Sequence, residues 1–340
     1  MPETILKIEN LKTYFDTWAG VVKAVDGVSL DVRRGETLGL VGESGSGKTV
    51  TALSVLRIVP RPGKTMDGRI LFKGEDLLSK SEVEMQRIRG AEIALIFQDP
   101  STSLNPVFPI KSQLVEVIRR HQKVSKEDAA EKAKHLLEIV GIPDANLRIN
   151  EYPHQFSGGM KQRVAIARAL SCEPTMLFAD EPTTNLDVTI QAQILDLMQD
   201  LKNKFNMSLV LITHNMGIVA EMADRVTVMY AGRVCETSGM HDIFTHALHP
   251  YTVALMNAIP RIGMAKQELQ VIPGNIPNLI TPPSGCRFHP RCRYAGSICE
   301  KVVPELEEVE KGHLVACVRW REIEADLEME REATVRRRSS

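Results

Sequence analysis

Eight consecutive residues, Gly42-Glu43-Ser44-Gly45-Ser46-Gly47-Lys48-Thr49, have the types and spacing of a phosphate-binding loop, G-x-x-x-x-G-K-[ST]. The chemistry needs these residues. Glycines let backbone N–H groups turn inward around phosphate oxygens with no Cβ in the way. A helix starting at the end of the loop adds its positive dipole end. Lys48 would place a point charge on the β- and γ-phosphates, and Thr49 would give its hydroxyl to Mg²⁺. By chance alone the pattern should arise in roughly one chain in a hundred of this length. The flanks lower that figure: Thr37 to Val41 is apolar enough for a buried strand, and Val50 to Ile58 can form a helix.

A second set of groups fits the same chemistry. Asp180-Glu181 closes an apolar run, Met176 to Ala179. Asp180 would hold Mg²⁺ through water, and Glu181 would polarise the attacking water. Solvated acids at a strand end are common, but these follow a phosphate loop at a suitable distance. Gln98, after Ile93 to Phe97, would reach the metal ion or the attacking water. His214, after Ser208 to Thr213, would sit at the ligand-binding edge of an open α/β sheet and bond the γ-phosphate. Ser157-Gly158-Gly159 opens a helix and offers a second anion-binding surface. Phe15 is the aromatic chosen to stack on a base, with Tyr14 in reserve, although an ordinary strand aromatic explains either equally well.

These groups need elements to position them. Alternating apolar residues in Ile5 to Glu9 and Val25 to Val32 predict strands. Residues 101–172 differ in texture. Periodic apolar positions over Ile110 to His121 and Lys126 to Val140, the latter opened by Ser125 and Asp128, predict a helical insert. A helix is predicted over Val188 to Lys204, and two strands joined by Ala231-Gly232 over Val226 to Val234.

Composition bounds the rest. The chain has 340 residues, 43% hydrophobic and 25% charged, with a net charge of −1. One large or two modest soluble domains are expected. The charge gives no global electrostatic case for nucleic acid. No run approaches the ~18 apolar residues of a bilayer span. No signal peptide is visible, which points to the cytoplasm, where disulfides are rare.

In series, these motifs resemble the ATP-binding subunit of ABC transporters over residues 5–260. The resemblance implies a phosphate-loop α/β core with an antiparallel β subdomain and an α-helical subdomain at about 101–172. It implies catalytic roles for Glu181, His214, Lys48 and Gln98, and ATP and Mg²⁺ as ligands. It also implies a dimer, with ATP between the phosphate loop of one cassette and Ser157, Gly158 and Gly159 of the other, and with Asp187 touching the partner. Membrane-spanning permease subunits would be driven from the cytoplasmic face of a prokaryotic membrane. An extracytoplasmic peptide-binding protein would take part indirectly. Two positions depart from the family: Met160 ends the signature where Gln is usual, and Asn215 follows His214 where Asp is frequent. Phe97 to Pro106, His249-Pro250-Tyr251-Thr252 and Gly285 to Cys292 resemble the dipeptide and oligopeptide importer branch, to which nickel importers are close. Cassettes that act on DNA would need a coiled coil between Thr49 and Ser157. Those that act on ribosomes would carry two cassettes. A regulator with a dead nucleotide site would not keep Lys48, Asp180, Glu181 and His214.

Residues 261–320 read as a small Pro-rich C-terminal module, followed by a charged tail, 321–340. Such a module has a thin core and needs a staple. Cys286, Cys292, Cys299 and Cys317 can supply one, at C-x5-C-x6-C-x17-C. No zinc-type C-x2–4-C knuckle is present. Wider spacing suits an iron–sulfur cluster, with zinc or unbound thiols as the alternatives. The family resemblance implies a [4Fe-4S] cluster.

Overall fold

The computed structural model describes residues 3–184, 186–259, 272–327 and 329. Asn185, the segment 260–271 and most of the charged tail, including Arg336 to Arg338, lie outside the described residues.

Strands β1 (Thr4–Thr17) and β2 (Gly20–Arg33) form a long antiparallel hairpin. Leu6, Ile8 and Leu11 on one strand and Val25, Val28 and Val32 on the other are fully shielded from solvent or nearly so. Strand β3 (Thr37–Val41) is buried throughout and runs into the phosphate loop, from which α1 (Lys48–Val55) emerges. β4 (Gly63–Phe72) pairs with β1, and β5 (Glu75–Asp76) with β4, completing a four-stranded sheet ordered β2-β1-β4-β5. This sheet rests on α1, where Thr13 Oγ1 and Ser54 Oγ lie 2.8 Å apart.

Helix α2 (Glu82–Ile88) begins with a reciprocal capping box between Ser81 and Glu84 and leads to β6 (Ile93–Ile96). The helical subdomain follows: α3 (Pro100–Ser103), α4 (Ile110–His121), α5 (Lys126–Ile139), α6 (Ala145–Arg148) and α7 (Gly158–Leu170). The apolar faces of α4, α5 and α7 meet through Leu114, Ile118, Ala133, Leu137 and Val164, all fully buried. Ser125 accepts from the Asp128 N–H at the start of α5, as its residue type predicts.

The chain then builds the main sheet with β7 (Met176–Asp180), α8 (Val188–Phe205), β8 (Ser208–Thr213), α9 (Met216–Met222), β9 (Arg225–Tyr230) and β10 (Arg233–Gly239). Two helices follow, α10 (Met240–Thr245) and α11 (Pro250–Asn257). The cysteine-bearing region contains α12 (Ser297–Lys301), β11 (Glu307–Glu310) and β12 (His313–Val315). Among the described residues the main sheet has eight strands, ordered β11-β12-β10-β9-β3-β8-β7-β6. Strands β6, β7, β8, β3 and β9 are parallel, and β10, β12 and β11 extend the β9 edge antiparallel.

Residues 307–315 thus share a sheet with the phosphate-loop strand β3 and do not stand apart from it. Phe288, Cys286 and Cys292 pack with Tyr230 and Tyr251 in one apolar cluster. A thin-cored segment is here packed against and paired with its neighbour. Among the described residues, no helix is long and apolar enough to cross a membrane.

Candidate active site and cysteine cluster

The phosphate loop follows β3, Gln98 follows β6, Asp180 ends β7 and His214 follows β8. Parallel pairing therefore brings four separated motifs to one carboxyl edge of the sheet, where open α/β folds bind ligands. The loop itself depends on two glycines. A Cβ on Gly42, at φ 148°, would lie 2.1 Å from the Met229 carbonyl oxygen, and one on Gly47, at φ 102°, would lie 2.4 Å from that of Ala24. At both positions backbone packs on backbone, so no larger residue fits.

Lys48 is buried, and its Nζ donates to the Gly42 carbonyl at 2.8 Å, the Glu43 carbonyl at 3.0 Å and Ser46 Oγ at 3.3 Å. Burial lowers its pKa, opposed by the charges of Glu181, Asp180 and Glu43. Asp180 is 5% exposed. Burial and the Glu181 charge raise its pKa, against a hydrogen bond from Thr49 and the charge of Lys48. A buried carboxylate bonded to the Thr49 hydroxyl is a suitable donor pair for Mg²⁺.

Glu181 is the most constrained acid of the set. Its backbone is left-handed at φ 45°, unusual for a residue with a side chain. Its Oε2 accepts from Gln98 Nε2 and from Thr184 Oγ1, each at 3.0 Å, and its Oε1 lies 2.8 Å from His214 Nδ1. Burial acts to raise its pKa. The bonds from His214 and Thr184 and the charges of His214 and Lys48 outweigh that effect and lower it. Three catalytic candidates predicted from sequence are thus joined directly. Thr184 was not foreseen; the signal for it is its place three residues after Glu181 on the turn leaving β7.

Ser157 caps α7, accepting from the Met160 N–H at 3.3 Å, and Asp187 caps α8, accepting from the Ile190 N–H at 2.9 Å. The two helix starts adjoin: a Cβ on Gly159 would meet Ile190 at 2.8 Å, and one on Gly158 would meet Leu186 at 3.8 Å. Ser157, Gly158 and Asp187 are exposed. Among the described residues, no hydrogen bond or ion pair joins Ser157 to the phosphate loop of the same chain. Helix α7 packs against the edge strand β6, three strand spacings, or about 14 Å, from β3. Asn215 caps α9 through the Gly217 N–H at 2.9 Å. Phe15 is half-buried with its ring over Gly63, and the Tyr14 hydroxyl is spent on Asp26. The wholly exposed aromatic of that hairpin is Trp18, in the β1–β2 turn.

The four C-terminal cysteines line one small cavity with Phe288 and His249. None of the four forms a disulfide. Burial pushes Cys292 up to about 11 and Cys317 up to about 12, with the neighbouring sulfurs adding to both. Backbone N–H groups are nevertheless directed at the sulfurs. Phe288 and His289 donate to Cys286, Tyr294 to Cys292 and Arg319 to Cys317. Such donors stabilise thiolates, so this donor set fits a soft, cationic or clustered metal group.

A phosphate loop, a buried acid bonded to the Thr49 hydroxyl, and a second acid joined to a glutamine and a histidine on the carboxyl edge of a parallel sheet fit a phosphate-loop ATPase. The comparisons narrow the class. The family described as ABC transporter matches residues 25–184, and the family described as oligopeptide/dipeptide transporter, C-terminal region, matches residues 235–299. The dipeptide transport ATP-binding protein DppD of Bacillus subtilis is 49% identical over 316 residues, covering 93% of this chain and 94% of that protein. The oligopeptide transport ATP-binding protein OppD of the same organism is 49% identical over 313 residues, covering 92% and 87%. A bacterial ABC transporter cassette solved as a dimer superposes with a TM-score of 0.62 at 25% identity, covering 69% of this chain and 98% of that one. The chain belongs to the ATP-binding subunits of the ABC transporter family.

Proposed function

We propose that this chain is the ATP-hydrolysing subunit of an importer of dipeptides or oligopeptides. One observation carries the reading. Glu181, held by Gln98, Thr184 and His214 beside an intact phosphate loop, occurs in a chain 49% identical to a dipeptide transport ATP-binding protein over 93% of its length. Thr49 and Asp180 would hold Mg²⁺, which would neutralise charge on the phosphates. Lys48 would exchange its loop carbonyls for phosphate oxygens. Glu181, kept ionised by its neighbours, would accept a proton from the attacking water while His214 and Gln98 orient the reacting groups.

A second cassette supplies what this chain does not bring to its own loop. Ser157, Gly158 and Gly159 would close over ATP bound to the opposing copy or to a similar subunit, with Asp187 beside them. Closure and reopening would drive membrane-spanning permease partners at the cytoplasmic face of a prokaryotic membrane. A peptide-binding protein outside the membrane would deliver the cargo. Glu181→Gln should trap an ATP-bound dimer and cut turnover at least about a hundredfold. Light scattering and phosphate release measure both, and unchanged turnover would overturn the role of Glu181. Uptake by vesicles reconstituted with the permease subunits tests the cargo. Uptake of nickel or another small solute in place of peptides would favour the same engine with different cargo.

Cys286, Cys292, Cys299 and Cys317 would hold a [4Fe-4S] cluster. Support comes from the convergence of four thiols and from the N–H groups aimed at three of them. Iron, acid-labile sulfide and zinc per chain, measured after purification without oxygen, decide between about four irons with four sulfides and a single zinc.

A further inference from the structure

The loop between Cys286 and Cys292 carries two arginines; Arg291 contacts the phosphate loop directly, and Arg287 holds the turn that bonds it. Arg291 pairs with Glu43 of the phosphate loop through two bonds, Nη1 to Oε2 at 2.8 Å and Nη2 to Oε1 at 3.2 Å. Its side chain is 7% exposed. Its remaining donors are also engaged: Nη1 with the Tyr230 hydroxyl at 3.2 Å, Nη2 with the Ile272 carbonyl at 3.3 Å and Nε with the Pro273 carbonyl at 2.8 Å. Glu43 is held from its backbone as well, because its N–H donates to the Tyr251 hydroxyl at 2.9 Å. The carbonyl of the same Glu43 accepts from Lys48. Arg291 is thus one residue removed from the lysine that would meet the phosphates.

Arg287 acts on the other side of the loop. It donates to the Ala231 carbonyl and to Asp26, with 5% of its side chain exposed. The next residue after Ala231, Gly232, donates its N–H to the Ser46 carbonyl of the phosphate loop at 2.9 Å. Asp26 also accepts from Arg233 and from Tyr14, the residue before Phe15. A planar, two-pronged guanidinium fixes direction as well as charge, which a surface lysine would not do.

We propose that Arg291 and Arg287 are positioning residues for ATP binding, and that the Cys286–Cys292 loop is the strut that carries them. The thiols at its two ends anchor the strut, so the cysteine cluster and the nucleotide site share one rigid connection. Nucleotide affinity then responds to whether those thiols are held together. The inference rests on the nucleotide-site reading and is independent of which metal group the thiols bind.

The test uses the full chain, with ATP affinity read by displacement of a fluorescent ATP analogue and with KM and kcat for hydrolysis. Arg291→Gln and Arg287→Gln should each weaken ATP binding about tenfold and raise KM in step, leaving kcat within about threefold. Glu43→Gln removes the pair from the loop side with the cysteine region untouched and should weaken binding similarly. The double variant Glu43→Gln, Arg291→Gln should be no weaker than Arg291→Gln alone, because both changes break one link. Cys292→Ser should reproduce the loss of affinity with both arginines present. Unchanged ATP affinity in Glu43→Gln and in folded Arg291→Gln would overturn the proposal. So would losses that multiply in the double variant, or a fall confined to kcat. An unchanged affinity in Cys292→Ser would overturn the role of the strut while leaving that of the arginines.

Discussion

At the scale of single residues, Glu181 shows how neighbours set chemistry. Partial burial would by itself raise its pKa, and the His214 contact is the largest effect in the opposite direction. The acid is therefore ionised over a wider range than an isolated glutamate of the same burial. His214→Ala removes that lowering contribution, so the Glu181 pKa rises. The acidic limb of the kcat/KM profile should move to higher pH, in addition to any loss of rate at the plateau. A profile whose acidic limb stays in place would separate His214 from the ionisation of Glu181. Two of these contacts span long stretches of sequence, and only sheet pairing makes them neighbours: Gln98 and His214 lie 83 and 33 residues from Glu181.

At the scale of elements, the phosphate loop is a close approach of backbones. Gly42→Ala would drive a Cβ into the Met229 carbonyl on β9. Both strands are central to the sheet, so neither yields. A loss of about 2–3 kcal/mol is expected from overpacking and backbone strain, visible as a lowered thermal midpoint together with lost ATP binding. Helix α11 offers a pH-dependent case. His249 is fully buried, its Nδ1 accepts from the Tyr251 N–H at 3.1 Å, and burial lowers its pKa to about 4. The unfolded chain takes up a proton below about pH 6.5 and the folded one does not. Stability is therefore lost as pH falls from about 6.5 toward about 4, by about 2 kcal/mol at pH 5. His249→Asn keeps a side-chain acceptor at the cap and cannot titrate. Its denaturant midpoint should change less between pH 8 and pH 5 than that of the parent protein.

At the scale of the whole molecule, the signature motif and the phosphate loop sit on different parts of one sheet and would meet only across two copies. Ser157→Arg places a bulky charge on an exposed helix start without touching the loop of its own chain. ATP affinity of the isolated variant should hold, while dimerisation and turnover fall at least tenfold. Reduced affinity in the monomer would argue instead that Ser157 acts on its own nucleotide. The C-terminal region is tied to the core at the same scale. Its hairpin completes the sheet beside β10, and its two arginines cross sequence separations of 248 and 261 residues to reach Glu43 and Asp26.

The sequence by itself determined the local chemistry. The phosphate loop, the Asp180-Glu181 pair and the signature are contiguous strings recognisable from residue type and order. The starts of α2, α5 and the signature helix are also local, because a capping side chain bonds a backbone group three residues away. The four cysteines were legible as a set by their number and their clustering near the end of the sequence. Only the tertiary structure decided that Glu181 has Gln98, Thr184 and His214 as simultaneous partners, and that Tyr14 is spent on Asp26. It alone joined the cysteine loop to the phosphate loop and added residues 307–315 to the main sheet. Those strands are short and mostly polar, so their own pattern is weak, and the open edge of β10 selects them. The physical reason is common to all these cases. Local hydrogen bonds are encoded within a few residues, whereas buried ion pairs and edge pairing depend on which distant backbone the core brings within reach.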